Sequence, residues 1–138
     1  MDATAHHYAI TVTDLERAVE FYRDVLGLDV SSRFSVGGDA FATGVGVDGA
    51  SAEFAHLDAG GSRLELVSYD PEGDERSDPQ LNEPSATHLG LEVDDLVSVY
   101  EELPEDIETL SEPQTTESGT TILFVVDPEG NLVELLQP

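Results

Sequence analysis

An α+β fold of two tandem β-α-β-β-β modules is what this 138-residue sequence predicts. Three observations carry the prediction. A strand that opens on a histidine and runs into an Asp-led helix occurs twice. A strand with a glutamate set between apolar residues also occurs twice. Between the copies lies a polar, proline-rich stretch.

The first copy begins at residues 6–12, which alternate as a strand does. Tyr8, Ile10 and Val12 fall on one face, and His7, Ala9 and Thr11 on the other. Asp14 is placed to cap a helix, because its carboxylate accepts from the free N–H groups of a first turn. Leu15, Ala18, Val19, Tyr22, Val25 and Leu26 then recur at helical spacing. Gly27 is suited to the left-handed conformation that ends a helix. Further strands are expected at 28–36, 51–58 and 62–69. The second copy repeats the order: a strand at 86–93, Asp95 as cap and a helix to about residue 102. Strands follow near 107–111, 119–126 and 131–136. Asp127-Pro128-Glu129-Gly130 reads as a tight hairpin turn. One domain is thus expected, with modules at 5–70 and 85–138 and a linker at 71–84.

Aligning the copies brings out four residues. HYAITVTDL from His7 matches HLGLEVDDL from His88 at His, Val, Asp and Leu. GSRLEL from Gly61 matches GNLVEL from Gly130 at Gly, Glu and Leu. His7 and His88 are therefore equivalent, as are Glu65 and Glu134. The His-to-Glu separation is 58 residues in the first copy and 46 in the second. The excess is best placed at Gly37–Ala50, a glycine-rich stretch with no later counterpart.

Strand alternation gives the direction of these side chains. His7 shares its face with Ala5, Ala9 and Thr11, and His88 with Ala86, Gly90 and Glu92. Mostly small neighbours suit the wall of a cavity. Glu65 lies between Leu64 and Leu66, and Glu134 between Val133 and Leu135; a carboxylate so placed is costly to bury unless paired or coordinated. A lone strand histidine is commonly a hydrogen-bonded wall residue, and a lone strand glutamate commonly faces solvent. Recurrence of both at equivalent places points instead to one divalent ion held by His7, Glu65, His88 and Glu134. Two imidazoles and two carboxylates suit Zn, Ni, Co, Mn or Fe. His6 is expected to point away from His7 and to be structural. His56 has no counterpart in the second copy and receives no role. Arg63 shares a face with Glu65, and Arg33 and Tyr69 are possible pocket residues.

Composition narrows the function classes. Hydrophobic residues make up 39% of the chain, enough for a packed core. There is no cysteine, which excludes disulfides, thiolate catalysis and cysteine metal sites. Thirty acidic residues face five basic ones, all arginine, for a net charge of −25. Such a surface repels nucleic acid and anionic membranes. The pattern is similar to that of cytoplasmic proteins of extreme halophiles. No secretory signal or long apolar run is evident at the N-terminus, so the cytoplasm is the expected location.

The segments HYAITVTDLERAVEFYRDVLGLDV, LELVSYDPEG, HLGLEVDDL and DPEGNLVELLQP resemble the vicinal oxygen chelate superfamily. That superfamily includes glyoxalase I, methylmalonyl-CoA epimerase, extradiol dioxygenases and fosfomycin- and bleomycin-resistance proteins. The resemblance implies paired βαβββ modules forming a U-shaped mixed sheet around a metal. It implies ligands from the first and last strands of each module, the positions of His7, Glu65, His88 and Glu134. It also implies a small-molecule substrate and a homodimer, with modules pairing within one chain or between two. The His-Glu-His-Glu set and the stretch GTTILFVVDPEGNLVELLQ look like bacterial glyoxalase I. Extradiol dioxygenases typically use two His and one Glu, methylmalonyl-CoA epimerases commonly carry Gln where Glu65 stands, and bleomycin-binding members lack the ligands. The stretch Arg33–Ala52 is longer than its match in bacterial glyoxalase I. The expected activity is that of a lyase or isomerase of the glyoxalase or epimerase type. Glu65 or Glu134 would abstract a proton next to a metal-bound carbonyl. The alternatives are an extradiol-type dioxygenase and a binding protein that sequesters a small molecule without turnover.

The charge yields a direct test. At about 0.1 M salt the Debye length is about 10 Å, and at 1 M about 3 Å, so added salt screens the carboxylates from one another. Resistance to urea should rise steeply between dilute buffer and molar KCl. Stability that stays flat over that range would show that the acidic surface imposes no folding penalty.

Overall fold

The computed structural model describes residues 1–76 and 80–138. It comprises two compact units, Met1–Glu75 and Arg76–Pro138. The expected linker falls partly on residues 77–79, outside the described residues. Each unit carries one four-stranded mixed sheet and few helices, the α+β class expected.

In the first unit, β1 (Tyr8–Thr11) leads into helix α1 (Leu15–Glu20), which continues as a π-helical turn over Phe21–Val25. Asp14 caps α1, its Oδ1 accepting from the Arg17 N–H at 3.1 Å. Gly27 lies in the left-handed region, at φ 75°, just beyond the helix, as its position predicts. Strands β2 (Val30–Val36), β3 (Ser51–Asp58) and β4 (Arg63–Asp70) complete the sheet in the order β1-β4-β3-β2. β1 and β4 run parallel; the other pairs are antiparallel.

α1 packs on β3 and β4. Leu15, Ala18, Val19 and Tyr22 lie buried there with Ala55, Leu57, Leu64 and Leu66. Each large apolar side chain so buried contributes roughly 1.5–3 kcal/mol. Because strand side chains alternate, burying Leu64 and Leu66 against the helix turns Arg63, Glu65, Val67 and Tyr69 to the opposite face.

The glycine-rich stretch between β2 and β3, read as an insertion, contains helix α2 (Asp39–Val45). The sequence offers no side-chain cap there, and Gly44 sits inside the helix. Tertiary contact outweighs that poor propensity. Phe41 packs with Phe54 at 6.2 Å between ring centroids and with Tyr69 at 6.2 Å, above Ala52 and Val67. Gly46, at φ 71°, ends the helix in the left-handed conformation.

The second unit repeats the plan. β5 (Leu89–Glu92), α3 (Leu96–Glu102), β6 (Gln114–Thr115), β7 (Thr121–Val126) and β8 (Leu132–Gln137) form a sheet ordered β5-β8-β7-β6, with β5 and β8 parallel. Asp95 caps α3, and hydrogen bonds from the Ser98 N–H and hydroxyl hold its carboxyl below the ordinary carboxylate range. Leu96, Leu123, Val125, Val133 and Leu135 are its buried core.

One expected strand is not a strand. Over 107–111 there is only an isolated bridge between Thr109 and Val125, with Leu110 donating to the Phe124 carbonyl at 3.0 Å. Pairing with β7 resumes at Gln114–Thr115. Pro113 stands between the two pieces and has no N–H for a ladder, so the run breaks there.

The turn at Asp127 forms as expected and is held by its carboxylate. Asp127, 5% exposed, accepts from the Glu129 and Asn131 N–H groups at Oδ1 and from the Asn131 side-chain amide at Oδ2, each at 2.8 Å. Removing a buried acceptor leaves its donors unpaired, at about 1–3 kcal/mol. Asp127→Ala should destabilise the protein by about that much in urea unfolding at molar salt, and Asp127→Asn by less. Equal stability of Asp127→Ala and the parent would refute this role.

Candidate metal centre

Each unit presents a histidine and a glutamate on one face of its sheet. Ala9 is in register with Glu65 across the parallel β1–β4 pair, and Gly90 with Glu134 across β5–β8. His7 and His88 stand two residues before Ala9 and Gly90, each immediately ahead of its strand. Two residues along a strand restore the same face, so imidazole and carboxylate converge in both units.

The two pairs are close in geometry. His7 Nε2 lies 3.5 Å from Glu65 Oε2, and His88 Nε2 lies 3.1 Å from Glu134 Oε2. The imidazoles are about one-third exposed, while the Glu65 side chain is 12% exposed and that of Glu134 22%. Donors bound side by side to one ion at about 2.1 Å stand about 3 Å apart at right angles. Both pairs have that spacing, and their neutral-nitrogen and carboxylate donors suit a first-row divalent ion. Among the described residues, no group of three or more His, Asp or Glu side chains is arranged to hold an ion. What each unit holds is one imidazole beside one carboxylate.

The halves differ in what backs the carboxylate. Opposite Glu65 on β3 is His56, and opposite Glu134 on β7 is Phe124. His56, 8% exposed, reaches Glu65 Oε1 through Nε2 at 2.8 Å. Phe124 sets its ring edge-to-face with His88, 5.1 Å between centroids. His56 is the site residue that reading the sequence missed. Its signal is the turn at Ala59–Ser62, where Ala59 donates to the Ser62 carbonyl at 3.0 Å. Counting back along both strands from that turn sets His56 against Glu65.

The remaining residues fall differently from expectation. His6 does not point away from His7: the Nδ1 atoms are 2.8 Å apart. Arg63 donates through Nη1 to His6 Nε2 at 2.9 Å. The two imidazoles meet edge-to-face, 5.1 Å between centroids, so His6, held by Arg63, packs against the His7 ring. Arg33 is no pocket residue; it pairs with Glu16 of α1, through Nη1 to Oε2 at 3.1 Å and through Nη2 to Oε1. That guanidinium holds the Glu16 carboxyl low. Tyr69 shares the face of Glu65 but stacks on Phe41 of α2. A cleft of about 490 Å³ lies beside it at the end of the first sheet, lined in part by Ser35, Ser51, Glu53, Ser68 and Asp70.

Two βαβββ units that each set a histidine beside a last-strand glutamate define a class of protein built on a duplicated module. Residues 4–135 match the model of the Glyoxalase/Bleomycin resistance protein/Dioxygenase superfamily, and the chain belongs to that family. It is 30% identical over 141 residues to a 2-epi-5-epi-valiolone epimerase of Actinomyces sp, across 95% of this chain and 77% of the relative. Its fold is similar to that of a glyoxalase family protein from Bacillus cereus (TM-score 0.84, 22% identity, 96% of this chain and 91% of that one). It is also similar to the trypanothione-dependent glyoxalase I of Leishmania major (TM-score 0.70, 23% identity, 99% and 87%). Among the described residues, no helix is long and apolar enough to cross a membrane.

Proposed function

We propose that this chain is a metal-dependent epimerase or isomerase that moves a proton at a carbon next to a substrate carbonyl, with His7, Glu65, His88 and Glu134 as the ligand set. The observation that carries this reading is the repeated register: both modules aim one imidazole and one carboxylate from the same face at the spacing of adjacent ligands. A divalent ion held there would supply a Lewis acid for the substrate carbonyl and so acidify the neighbouring C–H. Everything else falls to the side chains. His7, packed against His6, and His88, packed against Phe124, would supply the imidazole donors. Glu65 and Glu134 are the two groups able to take the proton and return it. Glu134 is the less restrained. Its Oε2 meets His88, and among the described residues its Oε1 accepts no side-chain hydrogen bond, whereas both oxygens of Glu65 face imidazoles. Return of the proton to the opposite side of the same carbon is epimerisation; return to the neighbouring carbon is isomerisation. The epimerase relative favours the first, and a polyhydroxylated ketone of its kind is the substrate class to try. A homodimer in the cytoplasm is the setting we propose.

Metal content tests the ligand set. His88→Ala and Glu134→Gln, purified in molar KCl, should retain well under half of the parent's divalent metal, because loss of a ligand leaves charge and geometry unmatched. Full occupancy in His88→Ala would sink the assignment.

Isotope exchange tests the chemistry. Incubated in D2O with 2-epi-5-epi-valiolone, the metal-loaded protein should place deuterium at the inverted carbon. Glu134→Gln should slow that exchange by at least about 10²–10⁴-fold, because it loses a general base and weakens the metal's hold together. Exchange in the parent should persist without oxygen. Cleavage of a catechol that stops under anaerobic conditions, with no deuterium uptake, would replace this reading with a dioxygenase.

A further inference from the structure

Glu65 occupies a position where a carboxylate should not rest unaided. Its strand neighbours Leu64 and Leu66 are fully buried, and its own side chain is 12% exposed. On one side His7 Nε2 stands 3.5 Å from Oε2, too long for a strong hydrogen bond. On the other, His56 Nε2 stands 2.8 Å from Oε1, at full hydrogen-bond contact. His56 is itself wedged in place. The Phe34 ring meets it edge-on at 5.0 Å, and Phe34 stacks on Phe54 at 4.9 Å. The Ser31 hydroxyl also ties its carbonyl oxygen to β2 at 3.1 Å.

We infer that His56 is a positioning residue: it donates to Glu65 Oε1, fixes the carboxylate rotamer, and so presents Oε2, beside His7, as the metal-binding oxygen of the first module. This rests on the ligand set proposed above. Two observations separate it from a role as ligand or filler. His56 Nε2 meets Oε1 of Glu65 at 2.8 Å, while His7 Nε2 stands by Oε2, so the two imidazoles address different oxygens of the carboxylate. His56 therefore acts on the carboxylate from the side away from His7. The second module, built on the same register, puts Phe124 at the equivalent place. A module can therefore fold with an aromatic hydrocarbon there, and the imidazole of the first module answers to the glutamate it faces. A hydrogen bond to the outer oxygen of a ligating carboxylate raises its grip on an ion, and losing such a partner typically costs 10–100-fold in metal affinity.

The test uses the full chain in molar KCl with added Mn(II), read by titration calorimetry on chelator-treated protein. His56→Phe copies the second module's residue, and His56→Gln keeps an N–H donor. Thermal unfolding of each apo-protein reports whether it folds. We expect His56→Phe to bind Mn(II) about 10–100-fold more weakly than the parent, and His56→Gln to recover most of the loss. Parent-like affinity in a folded His56→Phe would overturn the inference. So would a folded His56→Gln as weak as His56→Phe, since a donor would then not be what the site needs. If His56→Phe fails to fold, His56→Gln decides alone, with binding within a few-fold of the parent supporting the role. Failure of the underlying ligand set shows separately, as a parent that binds no Mn(II) or a His88→Ala variant that binds it unchanged.

Discussion

A carboxylate set into an apolar strand must be answered by something, and this requirement organises the first module. Leu64 and Leu66 have to face α1 for the core to form, which commits Glu65 to the other surface of the sheet. Strand pairing then supplies partners from both flanks. The parallel neighbour β1 begins just after His7, and the antiparallel neighbour β3 carries His56 at the matching register. Transfer of an unpaired carboxylate from water would cost far more than the protein could spare. The arrangement of imidazoles is thus a condition of folding.

The same scheme in the second module is looser. Glu134 is more exposed than Glu65 and meets a single imidazole among the described residues, with Phe124 in the place of the second. The sheet around it is also less complete, because Pro113 interrupts the strand that would otherwise match β2 along its length. Duplication has left two copies that agree in register and helix cap but differ in how firmly each holds its carboxylate.

Most of this architecture was readable before any coordinates. Asp14 and Asp95 are caps, Gly27 ends its helix, and Asp127 organises its turn, because each of these is a local matter of one side chain and nearby backbone. Strand faces followed from alternation alone. The failures have separate causes. α2 forms because Phe41 finds Phe54 and Tyr69, residues distant in the chain, against the local preference of a glycine-rich stretch. His56 was passed over because it had no twin in the repeat, and only cross-strand register exposes its partner. His6 faces His7 instead of turning away because Arg63, from β4, holds its ring on that side. Arg33 belongs to the helix side because the register of β2 shifts between Val30 and Ser32, which turns the residues after it to the other face.

α2 is an appendage with a narrow attachment. It buries none of its own residues fully, glycines bound it at both ends, and Phe41 is its anchor on the sheet. The anchoring ring sits on the same surface as Glu65, further along β4 by way of Val67 and Tyr69. A segment hung in this way is interchangeable: its length and composition can drift without disturbing the ladder beneath it. The places of Glu65 and His56 are set by strand register alone, so whatever α2 becomes, the pair beneath it stays where the ladder puts it.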